Sequence, residues 1–389
     1  MHLDQKPDLV VHCDWSTDPN KRWMAVAHRE SGRWHIGEPE PVGATADFLQ
    51  RLRRRASGAK PRLFVGFDFP IGVPKAYGEQ TDLIDFLAAL RTFGHGDWSN
   101  WFHPCDDRTQ ISIRRPFYPA RPGGRRRQHL LTGLGLANGE DLLRECERRT
   151  PSRQAACSLF WTLGGNQVGK AAAAGWREIL IPNLDQVAVW PFAGSLKTLL
   201  DQHDTVVAET YPGDVYGQIG IARRPVWSKR TTEGRASVAG PMLQWLETRV
   251  VDATDALTAS ISNGFPNGAR AEDQFDAVVG LLGMLDVIEE RRSPGCPGEP
   301  ALVRWEPKAF ELHPPLDAHV TLTATSFQAS FHWFKRLTLQ YSEFLKHCHS
   351  LKDECSPRCP VPYPNTQRPR GGPQCEASRR AGAAPMDRA

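Results

Sequence analysis

Short apolar segments that each end on an acidic residue are the feature of this chain that most restricts its fold. Residues 9–14 read LVVHCD, and residues 63–68 read LFVGFD within a nearly continuous apolar run. Residues 205–209, TVVAE, repeat the pattern later in the chain. Apolar runs of this length, bounded by turn residues, are typical of strands that are buried in a sheet. They predict an α/β protein in which helices cover both faces of the sheet.

The first three predicted strands are joined by tight turns. A turn signal at residues 18–20, DPN, follows the first strand, and residues 22–30, RWMAVAHRE, read as the second. Ser31 and Gly32 turn the chain again, and residues 33–42, RWHIGEPEPV, give the third strand. Three short strands connected in this way predict an antiparallel meander at the start of a mixed sheet. A helix capped by Thr45 then leads to the fourth strand.

The later part of the chain predicts helices and then a tail. We expect a mostly helical insertion after the fourth strand, at about residues 77–175, and helices over residues 242–262 and 272–290. From residue 306 to residue 389, Pro, Arg and Cys dominate without periodicity, which is typical of a disordered tail. The sequence therefore predicts one domain, residues 1–305, followed by that tail.

Composition sets few limits on function. The chain has 389 residues, of which 40% are hydrophobic and 24% charged, as in ordinary globular proteins. A net charge of +4 permits an anionic partner without requiring one. The N-terminus lacks the pattern of a secretory signal, and no apolar run is long enough to predict a membrane span. Nine irregularly spaced cysteines favour a reducing, cytoplasmic location, and the sequence gives no indication of oligomeric state.

Acidic residues at strand ends predict a metal site. Asp14, Asp68 and Glu209 each end an apolar strand, and neighbouring strand ends lie close together in a sheet. Asp273 and Asp276 share one face near the start of the last predicted helix. Gathered carboxylates repel one another unless they bind a cation, and ligands that are all oxygen favour Mg²⁺ or Mn²⁺. Taken singly, each acid is equally typical of a turn or a helix cap.

Several segments in order resemble the family called domain of unknown function 429. They are DWS after the first strand, VGFDFPIGVP, RPFYP, SLFWTLGGNQVGKAAAAGW, VVAETYPGDVYG and DQFDAVVGLLGML, and the resemblance covers roughly residues 8–305. The family is described as predicted nucleases with a ribonuclease H-like fold. From Trp305 onward nothing resembles the family. An EGW-like motif is expected after the last helix, but the chain reads ALVRWEPKAFELHPP there.

The resemblance implies roles for the acids. Asp14, Asp68 and Asp276 would hold Mg²⁺ or Mn²⁺, Glu209 would be a further ligand or positioning acid, and Asp273 matches an additional acid of the family. Two such ions are the usual device for hydrolysing phosphodiesters, one activating water and the other stabilising the leaving oxygen.

A second motif supports a different class of enzyme. Residues 164–170, GGNQVGK, fit the G-x-x-x-x-G-K pattern of a phosphate-binding loop, which would place Lys170 against a phosphate. However, position 171 is Ala, where the mechanism needs a hydroxyl on Mg²⁺. The remaining rivals are an ATP-hydrolysing or phosphotransfer enzyme of the actin-like or sugar-kinase-like kind, and a non-catalytic nucleic-acid-binding or regulatory module.

Basic residues suggest a nucleic-acid partner. Arginines between Arg114 and Arg127 are interleaved with Phe117 and Tyr118, a composition that suits single-stranded nucleic acid and equally a solvated loop. Lys229 and Arg230 follow the Glu209 strand and could neutralise a substrate phosphate. Together with Lys170, these two residues are candidates for contact with a bound cofactor.

Cysteines and histidines add little to the functional prediction. His347, Cys348 and His349 loosely suggest zinc, but their spacing fits no established site. Cys13 and Cys157 lie in apolar runs and are expected to be small core residues.

Overall fold

A mixed sheet of eight strands organises the protein. The computed structural model describes residues 6–149, 154–164, 167–222, 226–249, 251–265, 270–295 and 303–306. The strands are β1 (Leu9–Asp14), β2 (Trp23–Glu30), β3 (Arg33–Ile36), β4 (Glu40–Pro41), β5 (Leu63–Phe67), β6 (Ala188–Trp190), β7 (Thr205–Glu209) and β8 (Val251–Ala253). Their spatial order is β6-β7-β5-β1-β2-β3-β8, and β4 pairs with β2.

Strand directions agree with the predicted meander. β1 and β2 pair antiparallel, and so do β2 and β3. β5 lies parallel to β1 on one side and to β7 on the other, and β6 lies parallel to β7. At the opposite edge β8 pairs parallel to β3. The protein is therefore α/β with a mixed sheet, and the ends of β1, β5 and β7 meet at one edge.

Helices surround this sheet. The α-helices are α1 (Phe48–Arg55), α2 (Lys75–Gly78), α3 (Phe86–Thr92), α4 (Arg127–Leu134), α5 (Val168–Gly175), α6 (Ile181–Asn183), α7 (Leu196–Gln202), α8 (Pro212–Gln218), α9 (Thr232–Ala236), α10 (Ala239–Thr248), α11 (Asp255–Ser262) and α12 (Ala271–Ile288). Single 3₁₀ turns occur at 19–21, 96–98, 108–110, 139–142 and 145–147, and a π-helical turn at 176–180. The last predicted helix is confirmed as α12.

The two faces of the sheet pack into separate hydrophobic clusters. Val11, Val65 and Val207 belong to a cluster with α1 and the segment after β5, so we call their side the insertion face. Val10 and Phe64 belong to the cluster that contains α12, so we call their side the α12 face. Because side chains alternate along a strand, this assignment fixes the direction of every residue on β1, β5 and β7.

One predicted helix is wrong. The sequence predicts a single helix over residues 242–262, but the structure has α10, then β8, then α11. Val251, a β-branched residue, begins a strand beside β3 instead of continuing the helix. Thr254 then caps α11, because its side chain accepts a hydrogen bond from the Leu257 N–H.

The insertion is less regular than predicted. Most of residues 77–175 form short helices, 3₁₀ turns and loops around aromatic side chains. The rings of Phe93 and Trp101 stack with centroids 3.8 Å apart, and Trp176 stacks on Trp101 at 5.5 Å. Aromatic packing, rather than long amphipathic helices, therefore stabilises this region.

Buried residues and hydrogen bonds continue across the predicted boundary at residue 305. Trp305 is buried, and Glu306 accepts hydrogen bonds from the N–H groups of Lys75 and Glu145 at 2.5 and 2.6 Å. The rest of the predicted tail, residues 307–389, lies outside the described residues.

Two further observations concern the cysteines predicted to lie in the core and the length of the helices. Cys13 is buried in the core as predicted, whereas Cys157 is only partly buried. A search of the described residues finds no helix with the length and apolarity needed to cross a membrane.

Candidate functional site

Asp14 and Asp68 lie side by side at the ends of two neighbouring parallel strands. Asp14 is the last residue of β1, and Asp68 follows β5, where its N–H donates to the Cys13 carbonyl at 3.2 Å. Cys13 and Phe67 point to the insertion face, so Asp14 and Asp68 point to the α12 face. The Trp15 N–H donates to Asp68 Oδ1 at 2.6 Å, and each of the two carboxyl groups influences the pKa of the other.

Burial changes the protonation of this pair. Desolvation, followed by the neighbouring Asp68 charge, raises the pKa of Asp14 well above its ordinary value. Desolvation also raises the pKa of Asp68 to about 7, although the hydrogen bonds from Trp15 and Asp14 oppose this shift. Asp276 raises the pKa of both acids. In the absence of a bound cation, the pair therefore retains a proton near neutral pH.

Asp276 brings α12 into the same electrostatic cluster. Its carboxylate is 4% exposed and accepts hydrogen bonds from the Tyr216 hydroxyl and the Lys229 ammonium group. Glu272 Oε1 lies 3.6 Å from Lys229 Nζ. Burial, followed by repulsion from Glu272, raises the pKa of Asp273 to about 6. The predicted acids Asp14, Asp68, Asp273 and Asp276 thus form one group of interacting charges.

Lys229 is the cation of this group. Burial lowers the pKa of its ammonium group, but the attraction of Asp276 outweighs burial and raises the pKa above its ordinary value. Arg235, which is 3% exposed, donates to the carbonyls of Lys229 and Gly264 at 2.6 and 2.8 Å and so fixes the loop that carries Lys229. Neighbouring Arg230 is exposed, and the structure gives its side chain no hydrogen bond or ion pair with a described residue.

Glu209 points away from the other acids. Along β7, Val207 lies on the insertion face, so Glu209 two residues later lies there too. The Arg144 guanidinium donates to its two oxygens at 2.5 and 2.7 Å, and the Ile71 N–H donates to it at 2.7 Å. A position at the end of β7 therefore does not bring the Glu209 carboxylate onto the Asp14–Asp68 side.

Sequence reasoning missed two partners of these acids and one neighbouring residue. Arg144 and Tyr216 lie far from Glu209 and Asp276 in the chain, so no local pattern identifies the two pairs. Thr210 was within reach, because strict alternation along β7 places it, rather than Glu209, on the α12 face.

The predicted phosphate-binding loop lacks the structural context of that motif. Gly165 and Asn166 lie outside the described residues, and Lys170 is the third residue of α5. Among the described residues before the loop, Trp161 makes one isolated bridge to Tyr118 and no strand is formed. A phosphate-binding loop connects a strand to a helix, and that strand is missing from this part of the structure. The structure gives Lys170 no ion pair with a described residue.

The aromatic rings of the arginine-rich segment are buried and do not face solvent. Phe117 and Tyr118 are 1% and 0% exposed and belong to the core, so the predicted stacking of bases on these rings is wrong. Arg121 and Arg125 both pair with Asp106. This segment is therefore held by its own ion pairs and ring contacts.

The donor set fits a hard divalent cation in part. Buried Asp14 and partly buried Asp68 offer carboxylate oxygens, which suit Mg²⁺ or Mn²⁺, whereas one oxygen of Asp276 is taken by Lys229. Within the described ranges, no three His, Cys, Asp or Glu side chains are arranged so that they could hold a metal ion. The loosely zinc-like residues 347–349 lie outside the described residues.

Comparisons with known proteins do not assign this chain. No family model matches it, and neither does a curated protein or a solved structure. An assignment of function therefore depends on the chemistry of the site itself.

Proposed function

We propose that the protein is a divalent-metal-dependent phosphodiester hydrolase, a nuclease, with a ribonuclease H-like fold. The observation that carries the proposal is the Asp14–Asp68 pair, a buried and a partly buried carboxyl group that interact electrostatically at neighbouring strand ends. Burying two carboxyl groups together is costly unless they share a proton or bind a cation. A divalent cation that displaced the proton would remove this cost.

In this proposal each residue of the cluster has a separate task. Asp14 and Asp68 would hold Mg²⁺ or Mn²⁺, and Asp276 would join them once Lys229 leaves its Oδ2 atom. The cation would supply activated water and stabilise negative charge on the phosphate. The released Lys229 ammonium group would bind a phosphate oxygen, which is favourable where negative charge develops. Asp273 adds negative charge at the start of α12.

The fold supports the same proposal. An antiparallel meander formed by β1, β2 and β3 opens the mixed sheet, and parallel β5 and β7 continue it. This arrangement agrees with the ribonuclease H-like fold that the sequence resemblance implies. Glu209 is left out of the proposed catalytic group, because Arg144 binds both of its carboxylate oxygens.

The test combines metal binding with cleavage. Calorimetric titration with Mn²⁺ and cleavage of labelled single-stranded DNA, double-stranded DNA and RNA would be measured for wild type, Asp14→Asn and Asp276→Asn. Asp252→Asn, which changes an exposed acid on β8, is the control. We expect both site variants to lose binding and cleavage and the control to retain them. Wild-type cleavage by both site variants would exclude the site, and metal binding without cleavage would favour a non-catalytic module.

A further inference from the structure

Thr210 continues the row of side chains formed by Asp14 and Asp68. Phe67 of β5 is in register with Cys13 on one side and with Glu209 on the other. The next residues of the three strands are therefore neighbours, and the Thr210 N–H donates to the Phe67 carbonyl at 2.7 Å. Since Glu209 faces the insertion, Thr210 faces α12, as Asp14 and Asp68 do.

The Thr210 hydroxyl is buried without a partner. Thr210 is 2% exposed, and its Oγ1 atom has no hydrogen-bond partner among the described residues. A buried hydroxyl without a hydrogen bond destabilises a folded protein, so such atoms are rare and call for a physical reason.

The missing side chain of Gly66 leaves room for this hydroxyl. A Cβ atom on Gly66 would lie 2.6 Å from Thr210 Oγ1 and 2.5 Å from Met284 Sδ. Gly66 precedes Asp68 by two residues on the same face of β5, so the hydroxyl lies over the strand that carries Asp68. Thr210 is therefore the neighbour of Asp68 in this row, and its hydroxyl is a neutral oxygen of the kind that hard cations accept.

We infer that Thr210, and not Glu209, is the β7 residue of the site, and that its hydroxyl is a third protein oxygen for the cation bound by Asp14 and Asp68. This inference rests on the proposed function. The cation would be the partner of the buried hydroxyl. The hydroxyl would be one neutral ligand beside the two carboxylates. Hard cations accept neutral oxygen ligands together with carboxylates.

The test uses Thr210→Val, which removes the hydroxyl and keeps the shape of the side chain. Mn²⁺ affinity would be measured by calorimetry on the full-length chain, and the thermal midpoint would be measured in EDTA. We expect the Mn²⁺ Kd to rise about 5- to 10-fold, the equivalent of one lost hydrogen-bond-sized interaction. The midpoint in EDTA is expected to rise by about 2–4 °C, because an unpaired buried hydroxyl has been removed.

Two further variants separate the alternatives. Thr210→Ser keeps the hydroxyl and is expected to bind Mn²⁺ within about twofold of wild type. Glu209→Gln is expected to lower the midpoint, because it weakens the pair with Arg144, and to leave the Mn²⁺ Kd unchanged. A purely structural role for Thr210 would raise the midpoint of Thr210→Val without changing its affinity.

The outcomes distinguish this inference from the proposed function. If Thr210→Val binds Mn²⁺ as tightly as wild type while Asp14→Asn does not bind it, the Thr210 assignment is wrong and the metal site stands. If wild type does not bind Mn²⁺, both fail together. Weaker binding by Thr210→Val with a raised midpoint supports the assignment.

Discussion

The Arg144 guanidinium binds both carboxylate oxygens of Glu209, at 2.5 and 2.7 Å, in the interior of the protein. Both side chains are almost fully buried, and Arg144 Nε also donates to Glu147 at 3.0 Å. This ionic group lies on the insertion face, whereas Asp14 and Asp68 lie on the α12 face. The same edge of the sheet therefore carries two ionisable groups of residues. In one, a guanidinium balances the carboxylates, and in the other the pKa values of two carboxyl groups are raised.

Removing the buried guanidinium should strongly destabilise the protein. Arg144→Met leaves Glu209 and Glu147 buried without their cation. We expect the free energy of unfolding in urea to fall by about 3–5 kcal/mol, as for other buried ion pairs that lose one partner. Arg148→Met is the control, because Arg148 is 43% exposed in its ion pairs and its loss should cost less than about 1 kcal/mol. Equal losses in the two variants would contradict a stabilising role for the buried group.

The stability of the metal-free protein should depend on the protonation of Asp68. Its pKa is about 7 in the folded protein and near the ordinary value of 3.8 when unfolded. Between these values the folded state binds more protons, so the contribution of Asp68 to the free energy of unfolding decreases as pH rises and is constant above about pH 7.

Comparison with Asp68→Asn measures the contribution of Asp68 to the pH dependence of stability. Buried His12, whose pKa is lowered to about 4, changes stability in the opposite direction as pH rises. We therefore compare urea unfolding in EDTA at pH 5 and pH 8 for wild type and for Asp68→Asn. From pH 5 to pH 8, the free energy of unfolding should fall by at least about 1 kcal/mol more in the wild type than in the variant. An equal pH dependence in both proteins would show that Asp68 titrates normally.

Lys229 should stabilise the metal-free protein and compete with a metal ion. Lys229→Met leaves the Asp276 carboxylate, 4% exposed, without its cation. We expect the free energy of unfolding in EDTA to fall by about 1–3 kcal/mol. The proposed site would then bind Mn²⁺ more tightly, because the competing ammonium group is gone.

Arg230→Met is a matched control for this variant. Arg230 is the next residue, is exposed, and has no side-chain hydrogen bond or ion pair with a described residue. Its replacement should change stability by less than about 0.5 kcal/mol. Tighter Mn²⁺ binding by Arg230→Met as well would point to a general effect of net charge instead of competition by Lys229.

Replacing two helical glycines by alanine should change the free energy of unfolding in opposite directions. A Cβ atom on Gly280 of α12 would lie 2.2 Å from His12 Cε1, whereas Gly217 of α8 has no atom within 4 Å of that position. Gly280→Ala should therefore lower the free energy of unfolding by about 2–3 kcal/mol through overpacking. Gly217→Ala should raise it by about 0.5–1 kcal/mol, because alanine favours the helix. Free energies of unfolding will be obtained from thermal unfolding. Equal changes in both variants would argue against the close contact of α12 with β1.

Much of the fold could be predicted from local sequence. The apolar runs that end at Asp14 and Asp68 form β1 and β5, and the periodic segment near Asp276 forms α12. Each of these elements has enough apolar residues in one pattern to determine its own secondary structure. β6 and β8 were missed, because strands of three residues carry too little pattern to be distinguished from loops.

The sequence by itself placed acids at strand ends, but only the tertiary structure decided which of them face one another. The direction of Glu209 depends on the register between β7 and β5, and a shift of one residue exchanges the two faces of a strand. Its partner Arg144 and the Lys229 partner of Asp276 come from distant loops. Such charges are brought together when the packed core fixes those loops, a long-range condition that local patterns do not contain.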